Sequence, residues 1–187
     1  GISSSLTPSV KQVDLDASSG GDAIGSFTAT ALTLNGGGVF DWQIQDFTGG
    51  SGGAGSKYDV LNFDTLTFEA GQTFTINIMA INSTTGNAGF PNNGGNIMNS
   101  YQGTNGFKLF DNNDASGITW NGWGDGSAGV ISNFDVRSED FAYHVGNWWG
   151  EWNVWYDGSG DFYLQYSAVP EPSTYIMVTG LFMLPGF

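Results

Sequence analysis

One stretch of the sequence decides the fold: residues 66–80 read LTFEAGQTFTINIMA. Apolar and polar side chains alternate in residues 66–68 and again in residues 74–80, which is typical of strands that bury one face. The residues between the two segments include Gly71, and turns use glycine because it tolerates a positive φ. The stretch therefore predicts two antiparallel strands joined in a hairpin.

Two further pairs of segments show the same pattern. Residues 152–156 and 162–166 are rich in aromatic side chains and flank a loop of Asp, Gly and Ser, which predicts a second hairpin. Residues 28–34 and 39–47 flank a turn of Asn and Gly, which predicts a third. No segment has the sustained apolar spacing of an amphipathic helix.

The predicted fold class is therefore all-β. Segments rich in Gly, Asn and Ser separate the strands at residues 48–56, 82–101 and 111–129. Short strands with such loops are typical of a β-sandwich or jelly roll, which we expect here, with an apolar C-terminal tail. A short β-solenoid is the alternative, although no sequence repeat of about 20–50 residues is visible. The alternation slips near Asp64, where we expect a bulge or a strand break.

The composition excludes several function classes. The 187 residues include 18 acidic and 4 basic side chains, so the formal net charge is −14. Proteins bind nucleic acid by neutralising phosphates with Lys and Arg, so we expect no nucleic-acid partner. No cysteine is present, which excludes disulfides and thiolate metal sites. Aromatic residues make up 15% of the chain, which is enough to build a packed core.

We expect no enzyme and no catalytic residue. His144 is the only histidine, and the sequence has no Gly-x-Ser-x-Gly nucleophile elbow to accompany it. Glu139, Asp140 and Glu151 are the acids best placed for carboxylate chemistry, which needs only two such groups. Acids in such positions are more often solvated strand ends.

Two loops carry candidate calcium ligands, and we expect no other cofactor. Oxygen-bearing side chains alternate in each loop as at the start of an EF-hand, but the distal bidentate Glu is absent. Tight turns use the same residue types, so an ordinary turn is the alternative. The candidate ligands are Asn112, Asp114 and Ser116 in the first loop and Asp157, Ser159 and Asp161 in the second.

Tryptophans cluster before the last predicted hairpin. In a strand, Trp149 and Trp155 share one face, and Trp148 and Trp152 share the other. One set can face solvent, a sugar or a neighbouring subunit, since Trp is enriched at interfaces, and core packing on both faces is the alternative. The candidate aromatics for a carbohydrate or subunit interface are Trp120, Trp123, Trp149 and Trp155.

A short motif near the end of the chain indicates its destination. Residues 168–175 read AVPEPSTY and are followed by an apolar run. This box resembles the PEP-CTERM sorting signal of Gram-negative bacteria. The resemblance implies export, processing by an exosortase, and a place at the cell surface or in the extracellular matrix. The motif consists of Val169, Pro170, Glu171, Pro172, Ser173 and Thr174.

The apolar tail that follows is short for a membrane span. A helix over residues 175–187 would be about 20 Å long, whereas a hydrocarbon core is roughly 30 Å thick. The family's terminal basic cluster is absent. We expect the tail to be buried in a bilayer or against other subunits, because water disfavours so much apolar surface. The side chains concerned are Ile176, Met177, Val178, Leu181, Phe182, Met183 and Leu184.

A wider resemblance covers residues 36–175. Residues 39–46, 58–61 and 160–166 are similar to the terminal domain of autotransporter-like PEP-CTERM surface proteins. The resemblance implies an exported surface or matrix protein without a known activity. We predict an N-terminal extension at 1–23, a β domain at 24–168, and the sorting box with its tail at 169–187.

These observations together predict a non-enzymatic structural protein. It would form a homo-oligomer within a filament, sheath or biofilm matrix, or be anchored in a membrane by its tail. The chain begins with Gly1, so we expect that a signal peptide has been removed. A carbohydrate-binding surface module and a calcium-dependent adhesin are the alternatives.

Overall fold

The computed structural model describes residues 24–48, 50–71, 73–85, 89, 106–112, 115–138 and 149–169. The expected N-terminal extension, the sorting box after Val169 and the apolar tail lie outside these residues. Within them the chain forms β-strands and two short 3₁₀ turns, at Gly50–Gly53 and Ala115–Gly117. The all-β class is therefore confirmed.

The described strands are numbered in chain order. They are β1 (Ser26–Leu34), β2 (Val39–Ile44), β3 (Val60–Phe68), β4 (Phe74–Ala80), β5 (Phe107–Asn112), β6 (Ile118–Thr119), β7 (Gly129–Val130), β8 (Phe134–Arg137), β9 (Trp149–Tyr156) and β10 (Phe162–Val169). The large sheet has the order β1-β3-β5-β10-β9-β7, with β6 also paired to β3. The small sheet has the order β2-β4-β8.

The chain alternates between the two sheets. From β1 in the large sheet it passes to β2 in the small one, and it repeats this path with β3 and β4. The second coil lies on the first in parallel, so that Ser26 pairs with Val60 and Val39 pairs with Thr75. The third coil consists of β5 and β6 on β3, and of β8 on β4, again in parallel.

Two of the three predicted hairpins were wrong. β3 and β4 have the predicted strand conformation but lie in different sheets, and the same is true of β1 and β2. The turn between β1 and β2 contains Gly37 at φ +75°, and the turn between β3 and β4 contains Gly71 at φ +76°. Both turns lead the chain from the large sheet to the small one. Alternation specifies which face of a strand is buried, but not which strand lies beside it. The β9–β10 hairpin is confirmed, with Tyr156 opposite Phe162.

Near Asp64, where the sequence predicts a slip in the alternation, the chain has a pair of exposed residues that recurs in successive coils. Asp64 and Thr65 are both exposed, as are Thr30 and Ala31 in the coil before them. Thr65 pairs with Ala31 at the same offset as the pairs before it, so β3 has no bulge against β1, but the ladder skips the pair of Thr30 with Asp64. Strand β3 itself continues through Asp64, and a full interruption occurs one coil later, where the 3₁₀ turn at Ala115–Gly117 separates β5 from β6.

Aromatic side chains from both sheets form the core. The rings of Phe40 on β2 and Phe110 on β5 lie 6.4 Å apart, and those of Trp42 and Phe107 lie 5.8 Å apart. Phe68 on β3 meets Phe134 on β8 at 6.1 Å. The two sheets therefore face each other across a layer of interlocked rings, which is the packing that aromatic side chains favour.

A sandwich or jelly roll is not confirmed. Those folds are built from antiparallel strands, whereas five of the eight strand pairings in the described residues are parallel. The antiparallel pairs all involve β9 or β10, which follow the three coils in sequence.

Candidate functional site

A row of side chains crosses the outer face of the large sheet. Val130 on β7 pairs with Trp155 on β9, Trp155 pairs with Tyr163 on β10, and Tyr163 pairs with Lys108 on β5. Their strand neighbours point into the core between the sheets, because alternate residues of a strand face opposite sides. We call these four side chains the outer row.

The loop between β9 and β10 fixes the register of these two strands within the row. Asp157 Oδ1 accepts hydrogen bonds from the backbone N–H groups of Ser159 at 2.7 Å, Gly160 at 3.0 Å and Asp161 at 3.1 Å. Its other carboxylate oxygen accepts the Ser159 hydroxyl at 2.6 Å. Gly158 has φ +82°, which L-residues with a side chain rarely adopt. This closed turn places Trp155 opposite Tyr163.

A charged cluster lies at one end of the outer row. Lys108 Nζ is 2.8 Å from Asp161 Oδ2 and 3.4 Å from Asp111 Oδ1. The Tyr163 hydroxyl lies 3.3 Å from the same Asp161 oxygen, to which it donates. Asp161 Oδ1 accepts the backbone N–H of Asn112 at 3.2 Å. Asp161 thus joins β10 to β5 through both of its oxygens.

Burial and charge shift the pKa values of this cluster. Burial lowers the pKa of Lys108, but the hydrogen bond and charge of Asp161 outweigh this effect and the net pKa is raised. Burial raises the pKa of Asp111, although the Lys108 charge opposes the change. Burial and then the Asp161 charge raise the pKa of Tyr163 to about 12. At neutral pH, Lys108 is a cation and Tyr163 a neutral donor.

The other end of the row is apolar and adjoins an unpaired acceptor. The Trp155 ring centre lies 6.0 Å from that of Tyr163, and Val130 is 58% exposed. On the same face of β9, the buried Oδ1 of Asn153 has no hydrogen-bond partner. Asn153 pairs with Gln165, which is itself buried. A buried acceptor without a partner is rare in folded proteins.

The edge of the large sheet is a second notable surface. Strand β1 has nine residues, reads SFTATALTL, and in the described part of the chain pairs only with β3. It contains no charge, no Pro and no Gly. The opposite edge is β7, which has two residues.

The structure separates the four candidate tryptophans. Trp123 is buried, stacks on Phe68 at 4.7 Å and donates its Nε1–H to Glu69 O at 2.7 Å, so it is a core residue and not a surface platform. Trp120 packs against the same core and lies 4.8 Å from the Tyr156 ring. Of these two candidates for a carbohydrate or subunit interface, Trp123 therefore belongs to the core, and Trp120 is half-buried against it.

The split of the β9 tryptophans between two faces is confirmed where side chains are described. Trp152 packs on the core, with its ring 5.0 Å from that of Tyr166, and Trp155 lies on the outer face. Trp149 begins β9, and only its backbone is described. Trp148 lies outside the described residues.

The candidate calcium ligands have structural roles in what the structure describes. Asp157 and Ser159 close the β-turn, and Asp161 is paired with Lys108. Asn112 is buried and Ser116 is exposed, while Asp114 is not described. The structure brings Asn112 and Asp161 together through a backbone hydrogen bond. No group of three or more His, Asp or Glu side chains suited to a metal occurs among the described residues.

Of the acids and the histidine considered for catalysis, the structure describes only Glu151. Glu151 is exposed on β9, and Glu139, Asp140 and His144 lie outside the described residues. Among the described residues, no helix is long and apolar enough to cross a membrane.

Sequence reasoning missed Lys108, Asp111 and Tyr163. The alternation of Asp161, Tyr163 and Gln165 was a usable signal for a shared face of β10. No local signal connects this face to Lys108, because β5 and β10 are far apart in sequence. Comparison with known proteins adds no assignment: no family model, curated protein or solved structure matches the chain.

Proposed function

We propose that this protein is an exported, non-enzymatic structural protein whose domain is a short β-solenoid that self-associates through β1. The solenoid interpretation rests on three coils that each place a strand in both sheets and stack in parallel. The β9–β10 hairpin follows these coils on the large sheet and ends their parallel stacking.

The proposal of self-association depends on one observation: the edge strand β1 is long and uncharged. Natural proteins blunt exposed edges with charges, proline or very short strands, because an open edge pairs with other chains. The edge at β7 follows this rule with two residues, but β1 has nine uncharged residues rich in Thr and Ala. High β-propensity without charge or proline is also the signature of segments that add strands.

A second copy of the chain is the occupant that we propose for this edge. Two β1 strands related by a two-fold axis would pair antiparallel and join two large sheets into one. The formal net charge of −14 opposes most contacts between copies, whereas β1 brings no charge to the contact.

Larger assembly and location form the rest of the proposal. Growth into a filament, sheath or biofilm matrix needs a second contact, which we assign to the apolar tail at residues 176–184. The resemblance of residues 169–174 to the PEP-CTERM box supports exosortase processing and a place on the surface of a Gram-negative cell. A tail that stays in the membrane would make the protein an anchored one.

Sedimentation velocity of the full chain tests the β1 contact. Replacing Thr28→Lys and Thr33→Lys places charges on exposed positions of the edge strand, where like charges across the two-fold axis repel. The matched control, Thr65→Lys with Thr119→Lys, adds the same charge to exposed positions on β3 and β6.

We expect the wild type and the control to associate and the edge variant to be less associated. Equal association of all three proteins would refute the β1 contact. A wild-type monomer that associates only after deletion of residues 1–23 would also refute it, since the chain's own N-terminal segment would then cover β1.

A further inference from the structure

We propose that the outer row binds a neutral carbohydrate chain, with Trp155 as the stacking platform. This inference does not depend on self-association, because the row lies on β5, β10, β9 and β7 and not on the β1 edge. It uses one of the tryptophans singled out by sequence and places it among residues that only the fold brings together.

The shape of the row suits an extended ligand. Neighbouring strands are about 4.8 Å apart, so a row across four strands spans roughly 15 Å, enough for an oligosaccharide. Tyr163 is only 5% exposed, so the ligand would contact Trp155 and Val130 on one side of it and Lys108 and Asp111 on the other. The apolar half consists of Trp155 and Val130. Among the described residues, Val130 is the large hydrophobic side chain that is exposed, at 58%. Flat aromatic rings beside apolar carbons match the C–H faces of sugar rings.

The polar half supplies both kinds of hydrogen-bonding group that a sugar hydroxyl needs. The side chain of Asp111 is 37% exposed and can accept, and Lys108 Nζ, 3.4 Å from it, can donate. Recognition sites for small polar ligands commonly combine an apolar surface with a few fixed polar groups of this kind.

The unpaired acceptor on β9 is an independent observation that points to a donor ligand. Asn153 Oδ1 lies on the outer face two residues before Trp155, and it has no partner in the folded protein. Such an atom costs about 1–3 kcal/mol when it is left unsatisfied. A sugar hydroxyl beside Trp155 supplies the missing donor after a small movement of the side chains around it.

Charge selects a neutral ligand over an anionic one. The chain carries a formal net charge of −14, and the cation of the row, Lys108, is already paired with Asp161 and Asp111. An acidic polysaccharide would meet long-range repulsion. Hydroxyl groups meet no such penalty, and binding to them should depend weakly on salt.

Affinity electrophoresis of the full chain through gels containing soluble neutral polysaccharides tests the site. The probes are a β-glucan, a mannan and a galactan, with alginate as the anionic comparison. Trp155→Ala removes the platform, and Glu151→Gln is the matched control, an exposed residue on the same face of β9 outside the row. Circular dichroism checks that the variants are folded.

We expect at least one neutral probe to retard the wild type and the control. Trp155→Ala should lose about tenfold in affinity, which corresponds to about 1.4 kcal/mol. Tyr163→Phe keeps the ring and should retain most of the binding, which separates the stacking role from a folding defect.

Three outcomes would overturn the proposal: no retardation by any neutral probe, equal binding by Trp155→Ala, or binding to alginate alone. The double lysine variant on β1 should bind as the wild type does. Failure of the self-association proposal therefore leaves this test intact.

Discussion

Asp59 is the residue on which the stacking of the first two coils depends most directly. It is 1% exposed and lies at the entry to β3. Its Oδ1 accepts the backbone N–H of Gly25 at 2.8 Å, before β1, and its Oδ2 accepts that of Gln43 at 3.0 Å, in β2. One carboxylate thus holds a strand of each sheet against the second coil. We predict that Asp59→Asn destabilises the protein although it hardly changes side-chain volume.

The magnitude follows from the hydrogen-bond inventory. An amide offers one acceptor oxygen, so one of the two N–H groups would face the NH₂ group of the introduced asparagine and lose its partner. A hydrogen bond to a charged group contributes about 1.5–3 kcal/mol, and a buried unsatisfied donor costs about 1–3 kcal/mol. Because the second bond survives in weaker form, we expect a loss of about 3 kcal/mol. For a chain of this size that lowers Tm by roughly 6–12 °C.

Urea unfolding followed by tryptophan fluorescence measures the change, with calorimetry as a second readout. The control is Asp64→Asn, an identical change at an exposed position of the same strand, which should stay within about 0.5 kcal/mol of the wild type. A loss below about 1 kcal/mol at position 59, or equal losses at both positions, would refute the clamping role of Asp59.

Three further predictions concern the site and its surroundings. The folded-state pKa of Tyr163 is raised from 10.0 to about 12, so its contribution to stability is complete below pH 10 and is lost as the pH rises to about 12. Urea titrations at a series of pH values should therefore show that the unfolding free energy of Tyr163→Phe falls less steeply at alkaline pH than that of the wild type. Trp123→Phe should lower the unfolding free energy by about 2 kcal/mol, because the hydrogen bond to Glu69 O and part of the ring volume are lost. Retardation by polysaccharides should not change, since the indole is buried away from the outer row. The Tm should be the same in millimolar calcium and in chelator, because Asp157 already accepts four hydrogen bonds within its turn. A Tm that rises with calcium would contradict this prediction and support a calcium site.

Local patterns in the sequence were enough for the strands and for one connection. Alternation in Phe74–Ala80 identifies Ile76 and Ile78 as inward side chains, and both are buried. The β9–β10 hairpin was predictable because its strands are separated by a short loop whose Asp and Gly residues specify the turn. The same local reasoning misplaced the first two turns, since Gly37 and Gly71 serve a crossing between sheets as well as they serve a hairpin.

The candidate site divides in the same way. The sequence identified Trp155 and Trp123 as equal candidates, because an aromatic residue next to turn-formers looks the same whether or not another element covers it. Packing against Phe68 and the bond to Glu69 O make Trp123 a core residue, and these partners come from a different coil. The pairing of β10 with β5 likewise brings Lys108 beside Asp161, across a separation in sequence that no local pattern spans.

The sequence by itself determined the all-β class, the strands that alternate, the absence of thiol chemistry and the acidic charge, because each depends on residue type or on neighbours along the chain. Only the tertiary structure decided that coils stack in parallel, that β1 is the long edge, and that the outer row exists. These features depend on which distant strands share backbone hydrogen bonds, and every alternating strand offers the same N–H and C=O groups to any neighbour.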